Sequence, residues 1–172
     1  MIGSDDDLVI VTSRLELRPL AVDDADEMAI VLADPALHQF TGGEPATLDE
    51  LRRRFAAWVQ GSGSVDELWL NWIVGRTEDA VAVGTMQATV MNPATAAATE
   101  AYVAWTIGTP WQGQGYAGEA ATALVRWLVD HGIVSIVALV HADHVASAGV
   151  AARAGLRSTP EFVDGEVVWR LN

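Results

Sequence analysis

Residues 105–119, WTIGTPWQGQGYAGE, hold the pattern in this 172-residue chain with the most direct chemistry. An extended stretch ending in Trp105, Thr106 and Ile107 leads into Gln112, Gly113, Gln114, Gly115, Tyr116 and Ala117, and an apolar-periodic segment leaves them. Glycines let the main chain turn without a Cβ clash and come close to a ligand. Unpaired N–H groups at a helix start, at the positive end of its dipole, favour an anion such as a pyrophosphate. On its own a glycine pair before a helix does not separate a ligand site from a plain cap. The chain has no lysine, so a P-loop lysine, a kinase lysine and a Schiff base are excluded. A dinucleotide fingerprint is disfavoured, since the turn comes late and lacks a leading βαβ unit with a third glycine.

A second group is His141-Ala142-Asp143-His144-Val145-Ala146-Ser147. Two imidazoles and a carboxylate at a strand-to-helix junction match no zinc spacing, so no metal is expected. Ser147 lacks a G-x-S-x-G elbow, which argues against a hydrolase. The absence of cysteine excludes disulfides, thiolate zinc sites and a cysteine nucleophile.

The elements that must position these residues follow from periodicity. Residues 8–20 read as extended, with Leu15 and Leu17 alternating with charged neighbours. Asp23 and Asp24 can cap a helix that stops at Asp34-Pro35, and Thr47 with Glu50 forms a capping box for a helix reaching about Gln60. Residues 68–74, 81–90 and 100–107 read as strands, with an alanine-rich loop after Asn92-Pro93. A helix over 116–131 ends at Gly132, and residues 134–140 form an apolar run expected of a strand covered on both faces. A short helix over 145–154 and a hairpin around Asp164-Gly165 close the chain. The fold class predicted is mixed α/β in a single domain, residues 1–172, with about seven strands and about four helices.

Just over half of the residues are hydrophobic and the net charge is −13, with a pI near 4.4. A packed core is expected, and neither nucleic acid nor an anionic membrane suits that field. A cationic amine would suit it, although acidity also serves plain solubility. The start, MIGSDDDLVIV, carries aspartates where a signal peptide carries positive charge, and no apolar run reaches the ~20 residues that span a bilayer. The expected location is cytoplasmic.

QGQGYA at 112–117, followed by Glu119-Ala120, resembles the Q/R-x-x-G-x-G/A signature of the GNAT N-acetyltransferase superfamily. The opening Thr12-Ser13-Arg14-Leu15-Glu16-Leu17-Arg18-Pro19-Leu20 and the segment from His141 to Ala154-Gly155-Leu156 resemble its RimJ/RimL-like branch. The resemblance implies a splayed, mostly antiparallel central sheet and acetyl-CoA (coenzyme A) as the cosubstrate. Pantetheine would lie along Trp105, Thr106 and Ile107. The pyrophosphate would rest on amides of Gln112, Gly113, Gly115, Tyr116 and Ala117, with Gln114 completing the turn. His144 stands where the family usually has asparagine, and can donate one hydrogen bond to the cofactor or cap the following helix; Val150 stands where other branches have a tyrosine proton donor.

The activity implied is transfer of acetyl to a primary amine, a protein N-terminus or a small molecule, by direct attack in a ternary complex. Ser147 matches a serine that the branch places near the thioester sulfur, or else it is an ordinary helix-start hydroxyl. Tyr102 falls where RimL-like enzymes carry a glutamate. Glu100, two residues earlier on the same face, is the first candidate for the base, or else a solvated strand end. Asn71, Trp72 and Tyr102 are expected to line the acceptor pocket from adjoining strands. A longer acyl donor, a homodimer, and a degenerate CoA-binding module without turnover are the alternatives that this reading carries.

Overall fold

The computed structural model describes residues 5–94 and 99–171. The alanine-rich stretch expected after Pro93 falls largely outside them, as do the first four residues. Eight strands form one sheet in the order β1-β2-β3-β4-β5-β6-β8-β7. They are β1 (Ile10–Val11), β2 (Leu15–Pro19), β3 (Glu67–Arg76), β4 (Ala82–Met91), β5 (Glu100–Ile107), β6 (Ser135–His141), β7 (Leu156–Val163) and β8 (Glu166–Leu171). The α-helices are α1 (Ala25–Val31), α2 (Leu48–Gln60), α3 (Tyr116–Asp130) and α4 (Val145–Arg153).

The extra strand comes from the opening segment, which is folded back on itself rather than continuous. Ile10 pairs with Leu17 and Val11 with Glu16 across a turn at residues 12–14. The Thr12 hydroxyl oxygen accepts the Leu15 N–H at 2.9 Å, the local side-chain bond that competes with a straight strand. Asp24 also departs from its expected role. It accepts the Ala21 N–H at 2.7 Å and pairs with Arg18 at 2.6 Å, closing a short 3-10 turn ahead of α1 instead of capping α1. The α2 capping box forms as expected, with Thr47 and Glu50 bonding reciprocally.

Two apolar layers cover the sheet. On one face, Ala120, Ala121, Leu124 and Leu128 of α3 pack against Leu70, Trp72, Met86 and Val103 in the larger core. On the other, α1 and α2 bury Met28, Val31, Leu51 and Phe55 against Ile73. No helix among the described residues is long and apolar enough to cross a membrane.

One irregularity in the sheet matters for function. β5 runs antiparallel to β4 along its whole length, but pairs in parallel with β6 only at Glu100↔Ser135, Ala101↔Ile136 and Tyr102↔Val137. Beyond Tyr102 the two strands part, and β6 continues with β8 as its partner.

Candidate active site

The parting of β5 and β6 opens a cavity of about 890 Å³. One wall is β5 from Tyr102 to Ile107, with the glycine turn beyond it. The opposite wall is Leu139, Val140 and His141 of β6 together with Ser147 and Val150 of α4. Ala36, Leu37, Gln39, Phe40 and Thr41, after α1, line a third side.

At one end lies the glycine turn. Gly113 and Gly115 have φ of +74° and +85°, the left-handed region where a Cβ is strained. Gly115 is the N-cap of α3 and supplies no side-chain bond, so the first-turn amides of α3 carry no side-chain cap. That contrasts with α2 and α4, which Thr47 and His144 cap. The Gln112 side chain fastens the turn to the strand, its Nε2 donating to the Ile107 carbonyl at 2.9 Å. Gln114 lies outside the cavity lining; its Nε2 donates to the Pro110 carbonyl and its own carbonyl accepts from Arg14.

Two arginines lie near Gly115, of which Arg153 lines the cavity and Arg14 stands outside its lining. A Cβ placed on Gly115 would lie 3.5 Å from Nη2 of Arg14 and 3.5 Å from Nη1 of Arg153. Arg153 reaches there by crossing α3 at Gly118, where any Cβ would run into its Cδ. Arg14 is held by Glu119 at 2.6 Å and lies 4.7 Å above the centre of the Tyr116 ring. Thr12 Oγ1, Ser13 Oγ and the Arg14 N–H all donate to Glu119 Oε1, at 2.6, 3.1 and 3.1 Å. Burial works to raise the Glu119 pKa, but the bonds from Thr12 and Arg14 outweigh it and hold the carboxyl below its ordinary range. The opening strand motif and the residue after the turn are therefore one network. Amides, glycine space and two guanidinium groups together suit the phosphates of coenzyme A.

The other end is imidazole, aromatic and acid. His144 Nδ1 accepts the Ser147 N–H at 3.4 Å and so caps α4 in place of the usual asparagine. Phe40 stacks on His144, with ring centres 4.3 Å apart, and lies 5.3 Å from His141. Burial, then the neighbouring His141, pushes the His144 pKa down. Ser147 accepts a hydrogen bond from the Trp105 indole at 3.1 Å. Glu166 lines the same cavity, directly across the β6–β8 ladder from His141.

The expected acceptor-side residues are placed unequally. Tyr102 lines the cavity. Glu100 does not; its Oε2 accepts from Ser135 Oγ at 2.8 Å and Arg170 Nη1 at 2.9 Å, and Tyr102 bonds to it too. Burial would raise its pKa, yet these bonds prevail and lower it, the reverse of what a base needs. The same contact raises the Tyr102 pKa, through the bond to Glu100, then burial and the charge of Glu100. Asn71 stands one side chain back, its Oδ1 accepting from Gln87, which lines the cavity. Trp72 faces the opposite side of the sheet. It is fully buried in the larger core and donates to the Leu8 carbonyl at 2.7 Å.

Glu166, Arg14, Arg153 and Phe40 were not singled out by sequence. Glu166 was visible only as the end of a hairpin signal, and only the strand register brings it opposite His141.

The family profile described as an acetyltransferase (GNAT) domain matches residues 14–157, and the chain belongs to that family. An acetyltransferase from Agrobacterium tumefaciens str. C58 superposes with a TM-score of 0.71 at 26% identity, over 95% of this chain and 94% of that one. RimL, a ribosomal L7/L12 alpha-N-protein acetyltransferase solved in complex with coenzyme A, gives 0.76 at 19% identity, over 94% and 96%. The microcin C7 self-immunity acetyltransferase MccE, in complex with acetyl-CoA and AMP, gives 0.73 at 15%, over 92% of each chain. No curated protein matches the sequence. The expected GNAT fold and acetyltransferase class thus hold.

Proposed function

We propose that the protein transfers the acetyl group of acetyl-CoA to a primary amine by direct attack in a ternary complex. The observation that carries this reading is one cavity with unlike ends: uncapped α3 amides beside Arg153 at one, Glu166 and His141 at the other. Acetyl-CoA, when bound, supplies an activated thioester carbonyl. The residues of this chain have four tasks around it.

The amides of Gly115, Tyr116 and Ala117, with Arg14 and Arg153, hold the phosphates. The β5 edge beyond Tyr102, which has left its partner strand, offers main-chain donors to the pantetheine arm and to the carbonyl oxygen. Ser147 donates a hydrogen bond toward the leaving sulfur. The fourth task is to remove a proton, since an α-amine has a pKa of about 8 and a lysine-type amine about 10, and only the neutral form attacks. Glu166 is assigned that role in place of Glu100, because no described partner occupies its carboxylate whereas Glu100 is bonded on several sides. His141 Nδ1 accepts the Asp143 N–H, so its other ring nitrogen carries the proton in the neutral form and donates rather than accepts.

The likeness to RimL favours a protein N-terminus as acceptor, and the acidic surface suits a cationic chain of either kind. Thioester consumption with a panel of peptides and small amines tests the assignment. Glu166→Gln should lower kcat about a hundredfold and remove the acidic limb of the pH–rate profile, where the rate rises as the base deprotonates, leaving CoA affinity intact. An unchanged profile would remove Glu166 as the base. Tight CoA binding without turnover on any amine would instead mark a CoA-binding module.

A further inference from the structure

The Trp105 indole N–H donates to Ser147 Oγ at 3.1 Å, joining β5 to α4 across the cavity. A serine hydroxyl has one proton to donate and two lone pairs with which to accept. Near a helix start that hydroxyl ordinarily turns back on the backbone as a cap. In α4 the capping is done by the His144 ring, which takes the Ser147 N–H itself. The hydroxyl is thereby released from local duty, and the indole occupies one of its lone pairs. Its neighbours on α4 that line the cavity, Ala146, Gly149 and Val150, carry no side-chain acceptor.

We propose that Trp105 is a positioning residue that fixes the Ser147 hydroxyl with its proton toward the sulfur of coenzyme A. This rests on the reading of Ser147 given above. Before attack, the ammonium proton passes through Glu166 to solvent, leaving the amine neutral and the carboxylate free. When the amine nitrogen bonds to the carbonyl carbon and the C–S bond breaks, the electron pair goes to sulfur and the second amine proton to Glu166. The sulfur then carries the charge that a fixed O–H stabilises, until water protonates it. Accepting the indole bond polarises the hydroxyl and strengthens its own donation. Trp105 thus acts through Ser147 and not by contact with the reacting atoms.

The sharpest test does not require turnover. The pKa of the thiol of bound coenzyme A is read from thiolate absorbance in wild type, Trp105→Phe, Ser147→Ala and the double variant. Trp105→Phe keeps an aromatic ring and removes only the N–H donor. It should weaken ionisation of the bound thiol by about tenfold, Ser147→Ala by at least as much, and the double variant no more than Ser147→Ala alone. In turnover, Trp105→Phe should lower kcat by a similar factor with the KM for acetyl-CoA unchanged, and have no effect in the Ser147→Ala background. A normal thiol pKa in Trp105→Phe, or additive effects in the double variant, would overturn the proposal. So would a normal value in Ser147→Ala, which would also remove Ser147 from the mechanism while leaving acetyl transfer itself intact. Should Trp105→Phe not fold, the indole N–H resonance of wild type bound to coenzyme A serves instead. It should move as the thiol ionises, and a resonance indifferent to that ionisation would reject the coupling.

Discussion

His144 shows how much one substituted side chain can carry. As a cap it must offer a lone pair to the Ser147 N–H, which only the neutral ring does. Burial and His141 already push it toward that form. The unfolded chain therefore binds more protons than the folded one between the two pKa values. The stability that His144 contributes is full above about pH 6.5 and is lost as pH falls through its lower folded value. Thermal melts across that window should show Tm falling for wild type, and a flatter curve for His144→Asn, which caps without titrating. Equal slopes would refute the assignment. Glu100 yields the opposite expectation. With Ser135, Tyr102 and Arg170 all bonded to it, Glu100→Gln should cost about 1 kcal/mol of stability and leave the pH–rate profile in place. A displaced acidic limb would return Glu100 to candidacy as the base.

At the level of elements, the start of α3 is built from three separate parts of the chain. The β1–β2 turn presents Thr12, Ser13 and Arg14, the helix presents Glu119, and the end of α4 presents Arg153. Gly115 sits where they meet, so Gly115→Asp would meet two obstacles at once. Its φ of +85° strains any side chain, and a carboxylate there would lie between the two guanidinium groups as an internal substitute for phosphate. Calorimetry should detect no binding of coenzyme A to the folded variant. Wild-type affinity would mean that the phosphates lie elsewhere. The turn itself was legible in the sequence because QGQGYA resembles a known signature and two further segments accompany it in order. Its cations were not, since Arg14 and Arg153 lie 139 positions apart and meet only through tertiary packing.

Across the whole molecule, periodicity revealed the elements and left open which way they face. The strands over residues 68–74 and 100–107 were readable from their apolar runs, yet Asn71 and Trp72 were both assigned to one pocket. Adjacent residues in a strand point to opposite faces, and here Asn71 bonds to a cavity residue while Trp72 enters the core. The same limitation hid Glu166, whose position opposite His141 depends on β8 joining β6 rather than β5. The opening segment was readable as extended but not as folded back, because that turn rests on the Thr12 hydroxyl and main chain and on Glu119, 105 positions from Arg14. The splay was an expectation from resemblance alone. Its seam is three residue pairs long, fixed by Glu100, Ser135 and Arg170.

The bare amides at the start of α3 have a consequence for the protein as a perishable object. A helix whose first turn lacks a side-chain cap is completed by whatever anion settles there, so ligand occupancy and folding become linked quantities. At a hundredfold excess over Kd, coenzyme A should add about 2.7 kcal/mol, raising Tm by several degrees. A melting curve indifferent to the nucleotide would contradict this. Proteases that cut the opened chain would then attack the molecule at rest faster than the molecule at work, so its lifetime would follow the supply of its donor.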